Sequence, residues 1–144
     1  MIAIASDHAG YQLKQWIMKN LDEQKVSYKD FGTYSEEGCD YPVYAEAVAR
    51  AVAAGEYDKG VLVCGTGIGM CIAANKIKGI RAALCSDCYS AELTRRHNDA
   101  NILTLGERVV GTGLAMKIVD TFLGTSFEGG KHARRVEMIR RLED

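Results

Sequence analysis

The residues best placed to do chemistry lie in Val61-Leu62-Val63-Cys64-Gly65-Thr66-Gly67-Ile68-Gly69-Met70, where an apolar run meets a cysteine and then three glycines in five positions. Helical spacing follows through Ala73, Ala74 and Ile77. The pattern predicts a strand, a tight turn and a helix N-terminus. Such a turn leaves backbone N–H groups free at the positive end of a helix dipole, so it is an anion site. A cysteine at its mouth can have its thiolate stabilised by the same field. The loop therefore joins a nucleophile or base to a cradle for negative charge.

Nucleotide motifs fit this loop poorly. In a G-x-G-x-x-G fingerprint Gly65 and Gly67 match, but Met70 takes the third place and Gly69 comes one residue early. Asp87, at the end of the next strand pattern, does resemble that motif's ribose-binding acid. A P-loop fails because position 70 is Met. What remains is a small anionic substrate or transition state held by amides. A purely structural reading, with glycines that only permit tight packing, would leave Cys64 an inert buried thiol.

Other polar groups stand at chain positions that a parallel sheet would exploit. Asp7 and His8 follow the first apolar run. His97-Asn98-Asp99-Ala100-Asn101 is a dense polar cluster in which His97 can exchange a proton near neutral pH. On its own it reads as a helix C-terminus followed by turn residues. Arg108 follows the last strand pattern. Lys131 and Arg135, four apart, share a helix face that suits a phosphate or simply a solvated surface. Cys85-Ser86-Asp87-Cys88 is formally a C-x-x-C, open to a redox reading, but no second ligand pair has zinc-site spacing.

These groups are carried by alternating elements. Strand patterns cover 2–6, 26–31, 60–64, 80–84 and 102–105. Helical patterns cover 10–24, 42–54, 69–76, 87–97, 111–123 and 131–142, the first with apolar Leu13, Trp16, Ile17 and Leu21. Continuous apolar strands between helices predict an α/β fold, a five-stranded parallel sheet covered on both faces. Ligands of such sheets bind beyond the strands' carboxyl ends, which gathers the scattered residues toward one site. At 144 residues one domain, 1–144, is expected. A net charge of −1 gives no bulk attraction to nucleic acid or anionic membrane. No apolar run has membrane-spanning length, and no export signal opens the chain. Five irregularly spaced cysteines then fit reduced thiols in a cytoplasm.

Taken together, the chain resembles the family of ribose-5-phosphate isomerase B and the galactose-6-phosphate isomerase subunits. Over nearly the full length the resemblance rests on Ser6-Asp7-His8-Ala9-Gly10, Gly32-Thr33-Tyr34, Asp40-Tyr41-Pro42, the Cys64–Gly69 loop, Ala74-Asn75-Lys76, Gly79-Ile80-Arg81-Ala82, His97–Asn101, Gly106-Glu107-Arg108-Val109-Val110-Gly111 and Glu128-Gly129-Gly130. It implies an aldose–ketose isomerase of a phosphorylated sugar, without metal or cofactor. It implies a Rossmann-like three-layer α/β/α sandwich, a homodimer or tetramer, and a C-terminal helix that packs on a partner subunit and completes its site. Cys64 matches the base that moves a proton between C1 and C2; some relatives use a glutamate where this chain has Met70. His97 matches the ring-opening residue, with Asp7 and Thr66 nearby in support. Gly65, Thr66, Gly67, Ile68 and Gly69 would hold the enediolate. His8, Arg108, Lys131 and Arg135 match phosphate contacts, and Asn98 a sugar contact. Lys131 stands where many relatives have arginine, which keeps the charge and loses the bidentate fork. Because one chain carries every motif, the pentose phosphate is the expected substrate, with allose or galactose 6-phosphate as the alternative.

Overall fold

Each apolar run becomes a strand. In a computed structural model describing residues 1–144, the strands are β1 (Ile2–Ser6), β2 (Tyr28–Asp30), β3 (Lys59–Cys64), β4 (Ala82–Leu84) and β5 (Ile102–Gly106). All pair in parallel, in the order β2-β1-β3-β5-β4. The helices between and after them are α1 (Tyr11–Glu23), α2 (Tyr41–Ala53), α3 (Ile68–Ala74), α4 (Cys88–Asn98), α5 (Thr112–Gly124) and α6 (Lys131–Arg141). No helix is long and apolar enough to cross a membrane.

Successive strand side chains face opposite layers, which splits the core in two. Ile2, Ile4, Val61, Val63, Leu103 and Leu105 pack with Leu13, Ile17 and Leu21 of α1 and with Ile118 and Phe122 of α5. Ala3, Ala5, Leu62, Cys64 and Ile102 pack with Val48 and Val52 of α2 and with Met70 and Ala74 of α3. The two edge strands are shorter than the apolar spacing implies. Before β4, a turn in which Ile80 N–H donates to Ile77 O holds the chain off the sheet. The Asn75 side chain then borders the free edge of β4. It donates to Ala82 O at 3.0 Å and accepts from Ala82 N–H at 2.8 Å, as a further strand would.

Along α1 the sequence spacing puts Trp16 on the apolar face, and the structure corrects this. Trp16 is half exposed, while Lys14 is wholly buried. Lys14 Nζ donates to Asp30 Oδ1 at 2.7 Å and to the Thr33 carbonyl, between the rings of Tyr11 and Tyr34. A long amphipathic stem satisfies the core while its charge ties α1 to β2 and to the loop that follows. Replacing Lys14 by Ala strands the Asp30 carboxylate in a largely dry site. We expect a stability loss of about 3–5 kcal/mol in urea unfolding. A loss below about 1 kcal/mol would reduce the pair to an ordinary surface contact.

Candidate active site

The strand order reverses between β1 and β3, which opens a crevice at their carboxyl ends. A cavity of about 540 Å³ lies there, lined by Asp7, His8, Tyr41, Cys64, Thr66 and Arg108, among others. Cys64 closes β3 and is buried, and its Sγ accepts from Gly67 N–H at 3.1 Å. Gly67 has φ of +81° and caps α3. A Cβ on it would come within 2.8 Å of the Leu105 backbone, so only glycine lets the loop turn here. Below it the Thr104 hydroxyl donates to Gly67 O at 2.9 Å, and Thr66 Oγ1 accepts from Ile68 N–H at 3.2 Å. The N–H groups of Gly65, Thr66, Gly69 and Met70 donate to no protein acceptor. The loop thus keeps several unspent donors around one thiol.

The neighbouring residues are held with equal definition. Asp7 Oδ1 accepts from Ala9 and Gly10 N–H, both at 3.0 Å, which caps the short 3-10 turn His8–Gly10 and leaves its other oxygen free. Cys39 N–H donates to His8 Nδ1 at 3.2 Å. With Nδ1 accepting, the ring hydrogen of a neutral His8 sits on Nε2. The Arg108 guanidinium covers Gly65, where an added Cβ would stand 3.3 Å from Nη1. Glu107 N–H donates to Cys64 O at 2.9 Å, and the Glu107 carboxylate accepts from Leu13 N–H at 2.6 Å. That residue therefore ties the start of α1 to the end of β3, and Tyr41 stands against Gly69.

His97, Asn98, Lys131 and Arg135 lie elsewhere. The chain enters α4 from the carboxyl end of β4 and returns to the amino end of β5. His97 and Asn98, in the last turn of α4, therefore sit a full strand length, about 15 Å, from Cys64 along the sheet. Within one chain, Asp7 and Thr66 therefore do not meet His97. His97 instead stacks on His132 of α6, with ring centroids 4.1 Å apart. Its Nε2 is 3.7 Å from Glu128 Oε2. Arg140 and Arg141 pair with Glu137, whereas Lys131 and Arg135 are exposed with no carboxylate partner.

The comparisons fall on the whole chain. The family described as Ribose/Galactose Isomerase matches residues 2–139. The chain belongs to the ribose/galactose isomerase family. It is 55% identical to ribose-5-phosphate isomerase B of Escherichia coli over 142 residues, 99% of this chain and 95% of that protein. The structure of Clostridium thermocellum ribose-5-phosphate isomerase B superposes with a TM-score of 0.97 at 54% identity, covering 99% of this chain and 96% of the other. The Mycoplasma genitalium ribose-5-phosphate isomerase B, solved with bound ribulose 5-phosphate, gives 0.94 at 45% identity, over 99% and 95% of the two chains.

Two competing readings of the family's motifs lose their chemistry here. Asp87, the would-be ribose-binding acid, caps α4: its carboxylate accepts from Ser90 N–H at 2.6 Å and from the Ser90 hydroxyl at 3.0 Å. Cys85 of the C-x-x-C is buried, and burial, then the charge of Asp87, pushes its thiol up to about 12. The spacing of residues did not single out Tyr41, Glu107 or Glu128. Each sits in one of the family-like stretches, which is the one signal the sequence holds for them. Because only a thiolate alkylates, and Cys85 loses its proton only as pH rises toward about 12, it should stay unmodified by iodoacetamide in the native protein at pH 8. Peptide mapping that finds Cys85 labelled as fast as the partly exposed Cys39 would contradict this.

Proposed function

We propose that the chain interconverts ribose 5-phosphate and ribulose 5-phosphate through an enediolate, as one isomerase domain spanning 1–144. The observation that carries the proposal is the buried Cys64 thiol among unspent amides at the switch point, in a chain of the isomerase family. Aldose–ketose exchange needs a base that moves one proton between adjacent carbons and donors that hold the charge left on oxygen. Cys64 is the base. The unspent amides of Gly65, Thr66 and Gly69 face the developing oxyanion, each strong donor contributing on the order of 3 kcal/mol, while Gly67 and Ile68 shape the loop that presents them. His8 presents Nε2–H, and Arg108 its guanidinium, toward the phosphate end. Lys131 and Arg135 supply the remaining positive charge and Asn98 a sugar contact. His97 moves the ring-opening proton, with Asp7 and Thr66 meeting the sugar from the opposite side.

One copy cannot assemble that set, because the sheet separates Cys64 from His97. A homodimer, alone or paired into a tetramer, that lays α4 and α6 of one copy across the crevice of the other completes it. The exposed apolar strip of Met138 and Ile139 on α6 and Leu142 just beyond it favours such a partner. Five free cysteines fit a reducing, cytoplasmic setting.

Replacing Cys64 by Ala should lower kcat by about 10²–10⁴-fold without unfolding the chain. Near-normal turnover would remove Cys64 as the base. Lys131→Ala should raise KM for ribose 5-phosphate more than it lowers kcat. The shared site has its own test. Unfolded Cys64→Ala and His97→Asn chains, each inactive alone, are refolded together at equal amounts. Random pairing into dimers then gives about a quarter of wild-type activity. No recovery, despite exchange shown by mass labels, would place both residues in a site made by one chain. A coupled assay with allose 6-phosphate and galactose 6-phosphate checks the sugar, since a higher kcat/KM for either replaces the pentose and keeps the chemistry.

A further inference from the structure

A second group of coordinating side chains stands at the end of the sheet away from Cys64. We propose that His97, Glu128 and His132 capture a transition-metal ion of the zinc class, and that the captured ion takes His97 out of use. The consequence for activity rests on the role given to His97 above, whereas the binding does not.

Each of the three residues offers one ligand atom, and these atoms all lie within 4.8 Å of one another. Glu128 Oε2 is 3.7 Å from His97 Nε2, and Glu128 Oε1 is 3.9 Å from His132 Nε2. Donors on one tetrahedral zinc stand about 3.4 Å apart, from bonds of about 2.0–2.1 Å, so the carboxylate, which meets each imidazole through a different oxygen, has to turn modestly to serve one ion. Two imidazoles and one carboxylate are the protein ligands of an open zinc site, which leaves a position for water or an inhibitor. Glu128 and His132 lie four residues apart, and Glu128 N–H donates to Arg96 O at 3.0 Å, which fixes the segment against α4. His132 is partly buried. His97, over a third exposed, is free to swing. The two rings are 9° from parallel and must fan open to aim both nitrogens at one ion.

Charge balance selects the ion. Lys131 and Arg135 bring positive charge to the His132 ring. Arg96 pairs with Glu128 at 3.2 Å and keeps Glu92 at 2.8 Å if that pair opens. These cations repel a hard ion held by charge alone, such as magnesium or calcium. They leave an ion that bonds covalently to imidazole nitrogen, such as zinc, copper or nickel.

The test is calorimetric titration of zinc chloride, with magnesium chloride as control, into the full-length protein stripped of metal by chelator. Wild type is compared with Glu128→Gln and with His132→Phe, the first of which keeps the packing. One saturable zinc site per chain, weakened by about tenfold or more in both variants and silent to magnesium, is the expected result. No saturable site, or equal affinity in all three proteins, overturns the inference. Isomerisation should fall as the site fills in wild type, and the ratio of rates with and without zinc should return toward one in both variants. Full activity with the site filled overturns the inhibitory half. A blank titration with an active isomerase overturns the metal site alone. Zinc bound at the triad in a protein without isomerase activity overturns the proposed function and leaves the metal site standing.

Discussion

A strand in a parallel sheet must be re-entered from the end at which its neighbour began. The segment between β4 and β5 therefore crosses the whole depth of the sheet as α4, and whatever its last turn carries is delivered to the amino-terminal edge. His97 and Asn98 are in that last turn, while Cys64 closes β3 at the other edge. No loop adjustment can bridge a separation imposed by strand length. In the proposed site, assembly of two copies is thus a requirement of topology. α6 follows the same constraint, since it packs beside α4 and takes Lys131 and Arg135 to the same end.

At the carboxyl edge the same sheet solves a different problem. The crevice between β1 and β3 exists because the chain turns to opposite sides after those two strands. The backbone there is spent on very little. Glu107 ties the β3 end to α1, the Thr104 hydroxyl takes the Gly67 carbonyl, and the thiol takes the Gly67 N–H. The amides left over are donors held by a rigid scaffold, which is what oxyanion stabilisation needs if no reorganisation is to occur during the reaction. Cys64 contributes to both tasks, as part of the core against α2 and α3 and as the group at the mouth of the loop.

Much of this was legible in the residues. Continuous apolar runs separated by 3.6-residue periodicity specify a doubly covered parallel sheet, and Cys-Gly-Thr-Gly-Ile-Gly specifies a strand-to-helix turn with free amides. Edge strands were less legible, because β4 is cut short by the turn at Ile77–Ile80 and its free edge is met by the Asn75 side chain, neither of which is set by hydrophobicity. Lys14 was illegible, since its burial depends on Asp30 and Thr33, distant in sequence. Tyr41, Glu107 and Glu128 were passed over for the same reason: an ordinary surface residue type acquires a task only from long-range neighbours. The distance between His97 and Cys64 could not come from either motif. It comes from counting how many times the chain crosses the sheet between them.

A side chain offered to another molecule's site has no core of its own chain to fix it, so its element must be held from behind. The end of α4 is held in that way. Arg95, nearly fully buried, donates to Asp99 Oδ1 at 2.9 Å, to Ala100 O at 2.6 Å and to Thr125 O at 3.1 Å, with its guanidinium over Phe122. Arg81 reaches Asn98 O at 2.9 Å and Asp99 O at 2.9 Å. Two guanidinium groups thus hold the last carbonyl of α4 and the main chain that leaves it, which a helix C-terminus would otherwise give to water. Asp99, in the left-handed conformation, lets the chain turn straight back to β5. Charge-assisted bonds to main-chain oxygens lose little to side-chain entropy once the arginines are buried, so the turn bearing His97 and Asn98 is ordered within the single chain. The ordering is thus met in folding, and the proposed shared site would start from the positional precision that proton transfer demands.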